Sequence, residues 1–222
     1  MTFWGTSMRN YGVVFAIAAA TAVAPLTAFA GAQVEEQLAS SVVTVMSRAI
    51  SDQPVQVGYV AKFEGRAWLD TMSRRLVSRI ADARERESFL ATVHYEATRA
   101  GLDPQLVLGV IQHESAFRKY AISPVGARGY MQVMPFWSKV IGSSEHNLFH
   151  LRTNLRYGCV ILRHYLDIEN GDVFRALGRY NGSLGRPEYP NAVMATMTRN
   201  WLFTPDLAMI KLSAAPEATF TR

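Results

Sequence analysis

Cysteine is almost absent from this sequence, because Cys159 is the single one among 222 residues. An intramolecular disulfide is therefore excluded, and the core must be held together by packing. Cys159 lies among leucines at helical spacing, which is typical of a small buried apolar residue and not of a nucleophile. Alternating runs of β-branched residues are also lacking, apart from a short ambiguous stretch at 55–60. The chain is therefore predicted to be mainly α.

Charged residues are sparse as well. They make up 18% of the chain, against 49% hydrophobic residues. This balance suits one compact domain with a small appendage and excludes a disordered chain. The net charge of +5 is modest, and no Lys/Arg block with interleaved aromatic residues occurs, so no nucleic-acid partner is expected. His146 and His150 are four residues apart without a third ligand type nearby, so neither a metal site nor a cofactor is expected.

The amino terminus differs from the rest of the chain. Arg9 precedes a nearly uncharged run of residues 11–29 that is rich in Ala and Val, and Ala28-Phe29-Ala30 fits the small-x-small pattern of a cleavage site. An uncleaved anchor is the alternative, because the run is nearly long enough to span a bilayer. We predict a signal peptide over residues 1–30 and a periplasmic location, with anchoring in the inner membrane if the segment is retained.

The remainder of the chain is predicted to consist of helices and loops. Apolar residues recur at helical spacing over seven stretches. These stretches are 34–50, 66–86, 87–100, 104–117, 153–169, 172–181 and 188–201.

One carboxylic acid occupies a position where an apolar side chain is expected. Asp103 and Pro104 are a typical helix start. The stripe that follows contains Val107, Val110, Ile111, Glu114 and Phe117. Burial disfavours the charged form of a carboxyl group, so we expect the pKa of Glu114 to be raised, as glycoside cleavage by a general acid requires. A structural glutamate paired with Arg118 or Arg128 is the alternative, and periodicity alone does not decide between the two.

A glycine-containing loop and an isolated amide follow this acid. Residues 123–129 include two glycines, which permit positive φ or a close approach of the backbone. Gln132 then stands within the apolar segment 130–135. A glutamine there can orient a sugar hydroxyl or acetamido group, and it can equally satisfy the loop backbone.

These motifs resemble the catalytic domain of the family 1 lytic transglycosylases, which share a lysozyme-like fold with goose-type lysozymes. Three blocks follow the order of that family over about residues 87–201. They are Glu114-Ser115-x-Phe117 with Ala121-x-Ser123-x-x-Gly126-Ala127-x-Gly129-x-Met131-Gln132-x-Met134-Pro135, then Asn154-Leu155-Arg156-Tyr157-Gly158, and then Ala176-Leu177-x-x-Tyr180-Asn181-Gly182. The loop after Asn181 departs from the family, since Gly182-Ser183 replaces the usual Ala-Gly.

The resemblance implies a mainly α, goose-lysozyme-like domain with a short loop-rich sugar-binding region. Residues 86–202 are then expected to be the catalytic domain. Residues 31–85 are expected to be a helical N-terminal extension of unknown role, and residues 203–222 an extended tail.

The activity that the resemblance implies is peptidoglycan cleavage by a lytic transglycosylase. Glu114 would protonate the glycosidic oxygen between N-acetylmuramic acid and N-acetylglucosamine. It would then accept a proton from the muramoyl 6-hydroxyl, which closes onto C1 and leaves a 1,6-anhydromuramoyl end. The family's sugar-binding positions fall on Ser123, Met131, Gln132, Tyr180 and Asn181. We expect the Tyr180 ring to point inward with its hydroxyl free to meet Glu114 or the substrate.

Two alternatives stay open, a goose-type lysozyme-like hydrolase and a non-catalytic glycan-binding component of an envelope assembly. The expected partners are peptidoglycan glycan strands and envelope or secretion-machinery proteins. A membrane is a partner only if the N-terminal segment is retained.

Overall fold

The structure, a computed structural model, describes residue 1, residues 33–51 and residues 63–204. Eight α-helices lie within these ranges: α1 Ser40–Ser51, α2 Phe63–Leu76, α3 Ala83–Arg99, α4 Pro104–Ser115, α5 Pro135–Ile141, α6 Leu151–Ile168, α7 Val173–Asn181 and α8 Glu188–Thr196. The β-structure of the same ranges is confined to isolated bridges within residues 122–133. The predicted mainly α fold class, with a loop-rich region between helices, is confirmed.

Three sequence predictions fall outside the described residues. They are the signal peptide of residues 1–30 except for residue 1, the ambiguous stretch at 55–60, and nearly all of the tail at 203–222. Among the described residues, none of the helices is both long and apolar enough to cross a bilayer.

Capping side chains explain where α3 and α4 begin. Asp103 accepts a hydrogen bond from the backbone N–H of Gln105 at 2.7 Å, so the predicted start of α4 is confirmed. Asp82 accepts one from the N–H of Glu85 at 2.7 Å and starts α3. The amphipathic stretch at 66–86 is therefore divided, because α2 ends at Leu76 and α3 begins within the stretch.

The described helices share one hydrophobic core. Its buried members extend along the chain from Met46 in α1 to Trp201, in a π-helical turn that follows α8. α6 packs against both α3 and α7, and α4 packs against α8. α1 packs on α5 and α6, so the N-terminal extension adjoins the main helical body.

A cluster of three arginines around one glutamate fastens α1 to this body. Glu96 is fully buried in α3 and pairs at 3.1–3.2 Å with Arg99, Arg152 and Arg156. Arg99 and Arg156 also donate to the carbonyl oxygens of Ala49 and Ile50, at 2.8 and 3.0 Å. One carboxylate thus orients two guanidinium groups toward the last carbonyls of α1, which lack helical donors.

Candidate active site

Glu114 lies in the last turn of α4 and is 4% exposed. Its Oε1 accepts a hydrogen bond from the hydroxyl of Tyr189 at 2.5 Å. The two arginines considered as alternative partners have other contacts. The Arg118 Nε donates to the Ser115 carbonyl at 3.0 Å, and the Arg128 guanidinium lies 6.0 Å from the centre of the Phe149 ring. The predicted burial of Glu114 is therefore confirmed, and a tyrosine bonds its carboxylate.

The chain reverses immediately after this acid. Ala116 and Phe117 adopt positive φ values of 50° and 65°, so α4 ends at Ser115 and not at 117 as predicted. Left-handed backbone is unfavourable for residues other than glycine. Phe117 is nevertheless buried, and its ring packs edge-on against Phe89 and Trp201. Its burial holds the reversed backbone in place and keeps Glu114 at a helix end.

Tyr189, which bonds to Glu114, is also in contact with His113. His113 packs its ring edge-on against Tyr189, and its Nε2 lies 2.7 Å from the Thr196 hydroxyl. Burial lowers the pKa of His113, which favours the neutral imidazole. Burial, the charge of Glu114 and the hydrogen bond to it raise the pKa of Tyr189 well above its ordinary value. Tyr189 therefore keeps its proton and acts as a donor to the carboxylate.

The loop between α4 and α5 is shaped by two predicted sugar-binding residues. The Ser123 hydroxyl accepts from the N–H of Ala127 at 3.1 Å. The side-chain amide of Gln132 donates to the carbonyl oxygens of Gly129 and Ala121, at 2.9 and 3.2 Å. Of the two uses considered for this glutamine, the structure thus displays the one that satisfies loop backbone.

Met131 connects this loop to two helices. Its N–H donates to Asn154 Oδ1 in α6 at 2.8 Å, and its carbonyl oxygen accepts from the Tyr180 hydroxyl in α7 at 2.7 Å. Asn154 also donates to the carbonyl oxygens of Arg128 and Leu148, both at 2.8 Å. The expectation that the Tyr180 hydroxyl would be free is wrong, since its single proton is directed to the Met131 carbonyl.

Two glycines allow the helix and the loop to meet closely. A Cβ at Gly158 in α6 would come within 2.3 Å of the Met131 sulfur. Gly129 has a φ of 74°, and a Cβ there would lie 2.5 Å from Asn154 Nδ2. Gly129 of the first sequence block and Gly158 of the second thus serve the same contact, between the loop and α6.

Tyr180 and Asn181 occupy the end of α7 and are both buried. Burial and the charge of Glu114 raise the pKa of Tyr180 well above its ordinary value. The side-chain N–H of Asn181 donates to the Ser183 hydroxyl at 3.1 Å, while its Oδ1 is buried without a hydrogen-bond partner. Met131 and Tyr180 are therefore brought together, and the charge of Glu114 acts on Tyr180. The hydrogen bonds of Ser123 and Asn181 stay within their own turns.

Comparison with known families assigns the part of the chain that contains the candidate site. Residues 91–197 match the family model described as the transglycosylase SLT domain. This part of the chain is an SLT transglycosylase domain. The match lies inside the range 86–202 expected for the catalytic domain, and it contains Glu114, Tyr189 and the five predicted sugar-binding residues.

Curated relatives agree with this assignment. The chain is 34% identical over 142 residues to a transglycosylase of Enterobacteria phage PRD1, with 58% of this chain and 52% of that protein covered. It is 32% identical over 107 residues to a membrane-bound lytic murein transglycosylase C of Haemophilus influenzae, covering 47% of this chain and 28% of the relative. The chain thus spans about half, or less, of the length of these relatives.

A solved structure is similar as well. An inactive mutant of the lytic transglycosylase Slt from Pseudomonas aeruginosa aligns with 74% of this chain and 34% of its own, at 21% identity and a TM-score of 0.41.

The structure adds residues to this SLT domain that the sequence analysis did not assign. Tyr189 falls within the predicted helical stretch 188–201 and lies four residues before the apolar Val193, so it is on an inward stripe. His113 directly precedes Glu114 in the sequence, but it lies outside the matched blocks. Gln33 lies far from the matched blocks, and nothing in the sequence connects it with them. Within the described ranges, no group of three or more His, Cys, Asp or Glu side chains could hold a metal ion.

Proposed function

We propose that this chain is a peptidoglycan lytic transglycosylase in which Glu114 is the catalytic acid and base. The observation that carries the proposal is a buried carboxyl group at the end of α4, bonded by Tyr189, inside an SLT domain. Among the described residues, Glu96 is the other buried acid, and three arginines engage it. A reaction that needs one carboxyl group suits this arrangement better than one that needs two.

The proposed reaction uses Glu114 twice. Its protonated form donates to the glycosidic oxygen that links N-acetylmuramic acid to N-acetylglucosamine, and the bond from C1 to that oxygen breaks. The carboxylate then accepts the proton of the muramoyl 6-hydroxyl while the 6-oxygen bonds to C1. The products are a 1,6-anhydromuramoyl end and a free 4-hydroxyl on the other sugar. Tyr189 supports the second step, because its hydroxyl donates to the carboxylate form.

Sugar binding is proposed for Ser123, Met131, Gln132, Tyr180 and Asn181. Gln132 and Tyr180 direct donors to the loop backbone, so their main contribution is to hold the shape of the loop. Asn181 offers a buried acceptor, its Oδ1, to a donor of the substrate.

The location and partners are proposed on the same basis. Several similar proteins are named membrane-bound lytic murein transglycosylases, which supports a place in the cell envelope. We propose a periplasmic enzyme whose residues 1–30 are a signal peptide, whose residues 31–85 are an extension of the catalytic domain, and whose residues 203–222 are an extended tail. Glycan strands are its substrate, and envelope or secretion-machinery proteins are its candidate partners. Sequencing of the amino terminus of the exported protein tests the cleavage, and retention of Met1 would favour a membrane anchor.

Mass analysis of the products of purified peptidoglycan tests the activity. We expect anhydromuropeptides, each lighter by one water than the product of hydrolysis. Glu114→Gln should lower the rate by roughly 10²–10⁴-fold, whereas Glu188→Gln, at an exposed residue beside Tyr189, should retain it. Reducing ends in the products would instead indicate a hydrolase, and full activity of Glu114→Gln would remove Glu114 from the mechanism.

A further inference from the structure

Residues 33–39 form a short extended segment before α1, which we call the N-terminal strap. Val34, Glu35, Glu36 and Gln37 are exposed along it. Gln33 differs from them, because it is 4% exposed. A polar side chain is buried only where its donors and acceptors find partners, so the contacts of Gln33 define where the strap is held.

Gln33 is bonded to the backbone of the loop that carries the candidate site. Its side-chain nitrogen donates to the carbonyl oxygen of Gln132 at 3.2 Å, and its side-chain oxygen accepts from the N–H of Met134 at 3.3 Å. The carboxamide therefore occupies one acceptor and one donor of the loop at the same time. Both loop residues lie within the first of the three sequence blocks.

Gln33 and Tyr180 bond to adjacent residues of the loop. Gln33 donates to the carbonyl oxygen of Gln132. Burial and the charge of Glu114 raise the pKa of Tyr180 well above its ordinary value. The Tyr180 hydroxyl in turn donates to the carbonyl oxygen of Met131. The buried end of the strap thus bonds to Gln132, next to the loop residue that Tyr180 holds, and the charge of Glu114 acts on Tyr180.

The rest of the strap is held loosely. Glu36 forms an ion pair with Arg179 of α7 at 3.6 Å, and the Glu36 side chain is 45% exposed. Exposed ion pairs of this length contribute little to stability. Leu38 is partly buried against the core. A competing ligand therefore has few contacts to replace before the strap can leave the loop.

The occupied loop groups have the chemistry that an N-acetylated glycan would use. An acetamido carbonyl accepts from a backbone N–H, and a sugar hydroxyl donates to a backbone carbonyl. We propose that the N-terminal strap is autoinhibitory: the Gln33 carboxamide occupies the Gln132 carbonyl and the Met134 N–H, and a glycan strand must displace it to bind. This inference rests on the proposed function of the site.

Glycan binding to matched variants tests the displacement. Calorimetric titration with a tetrasaccharide of β-1,4-linked N-acetylglucosamine should give a Kd for Gln33→Ala about three- to tenfold lower than that of the wild type. Gln37→Ala removes an exposed amide from the same strap and should bind as the wild type does. Equal or weaker binding by Gln33→Ala would overturn the proposal.

Hydrogen exchange supplies a second measurement on the unaltered protein. Saturation with the tetrasaccharide should raise the exchange of the amides of residues 33–39, because the strap leaves the loop. Unchanged or slower exchange there would show that the strap stays, and the proposal would then be wrong. Peptidoglycan cleavage by the wild type and Gln33→Ala is scored separately. If neither variant yields products, the proposed function fails, while the binding and exchange results still decide the role of the strap.

Discussion

The Tyr189 hydroxyl and the Glu114 carboxylate are joined by a 2.5 Å hydrogen bond between α8 and the end of α4. This bond connects the last helix of the SLT domain to its candidate acid. His113 supports Tyr189 from the other side, so the donor is held in place before any substrate arrives.

Replacing the donor to Glu114 should slow the reaction and alter its pH dependence. Tyr189→Phe removes a donor that favours the ionised carboxylate, so the alkaline limb of the rate profile should move to higher pH. The maximal rate should fall about tenfold, the equivalent of one charge-assisted hydrogen bond. Peptidoglycan cleavage across the pH range measures both effects. Tyr157→Phe is the matched control, because that buried hydroxyl bonds to His146 at 2.7 Å. An unshifted profile for Tyr189→Phe would argue that Tyr189 has only a packing role.

Removing the acid of the arginine cluster should destabilise the whole domain. Glu96→Gln leaves three guanidinium groups without their shared carboxylate, and breaking a buried ion pair costs about 3–5 kcal/mol. Denaturant unfolding measures the loss. Asp167→Asn is the control, since its pair with Arg163 is surface-exposed and should contribute less than about 1 kcal/mol. If both variants lose the same small amount, the cluster does not hold α1 to the body.

A side chain at Gly158, where α6 meets the loop at Met131, should also destabilise the protein. Gly158→Ala places a methyl group 2.3 Å from the Met131 sulfur and 2.7 Å from its Cβ. Alanine gains up to about 1 kcal/mol of helix propensity, but overpacking costs about 1–3 kcal/mol. We expect a net loss of about 1–2 kcal/mol and reduced cleavage, measured by thermal unfolding and product yield. A variant more stable than the wild type would contradict the close contact.

His94 should make the folded protein less stable in mild acid. Burial lowers the pKa of His94 below its usual value near 6.5, so the folded state favours the neutral ring. The contribution of neutral His94 to the free energy of unfolding is therefore fully present above about pH 6.5, and it is lost as the pH falls below that value. The Tm advantage of the wild type over His94→Gln should shrink between about pH 7.5 and about pH 5. A constant advantage would mean that His94 is not excluded from protonation.

Local signals predicted much of the helical framework. Asp103 caps α4, and the stripe that includes Glu114 is buried, as its periodicity indicates. Asp82 with Glu85 is an equally readable capping signal within 66–86, and it marks the start of α3. α5 has only seven residues, too few for a periodic pattern to emerge.

Other features depend on tertiary contacts that no sequence window contains. Ala116 and Phe117 adopt left-handed backbone without a glycine that would predict it. This backbone is retained because the Phe117 ring packs between Phe89 and Trp201, which are distant in the sequence. The Tyr180 hydroxyl donates to the Met131 carbonyl, a loop group whose position relative to α7 cannot be deduced from helical periodicity. The order of the motifs thus predicted Glu114 as the acid, whereas the hydrogen-bond partners of the polar side chains depend on the assembled fold.

The position of Cys159 has a consequence for handling and for folding in the cell. The thiol is 1% exposed, and burial raises its pKa far above the ordinary value, so hardly any thiolate forms. With no second cysteine in the chain, folding does not depend on disulfide oxidation or reshuffling. The native state should therefore tolerate oxidising and reducing surroundings alike, and its yield should not depend on thiol reagents.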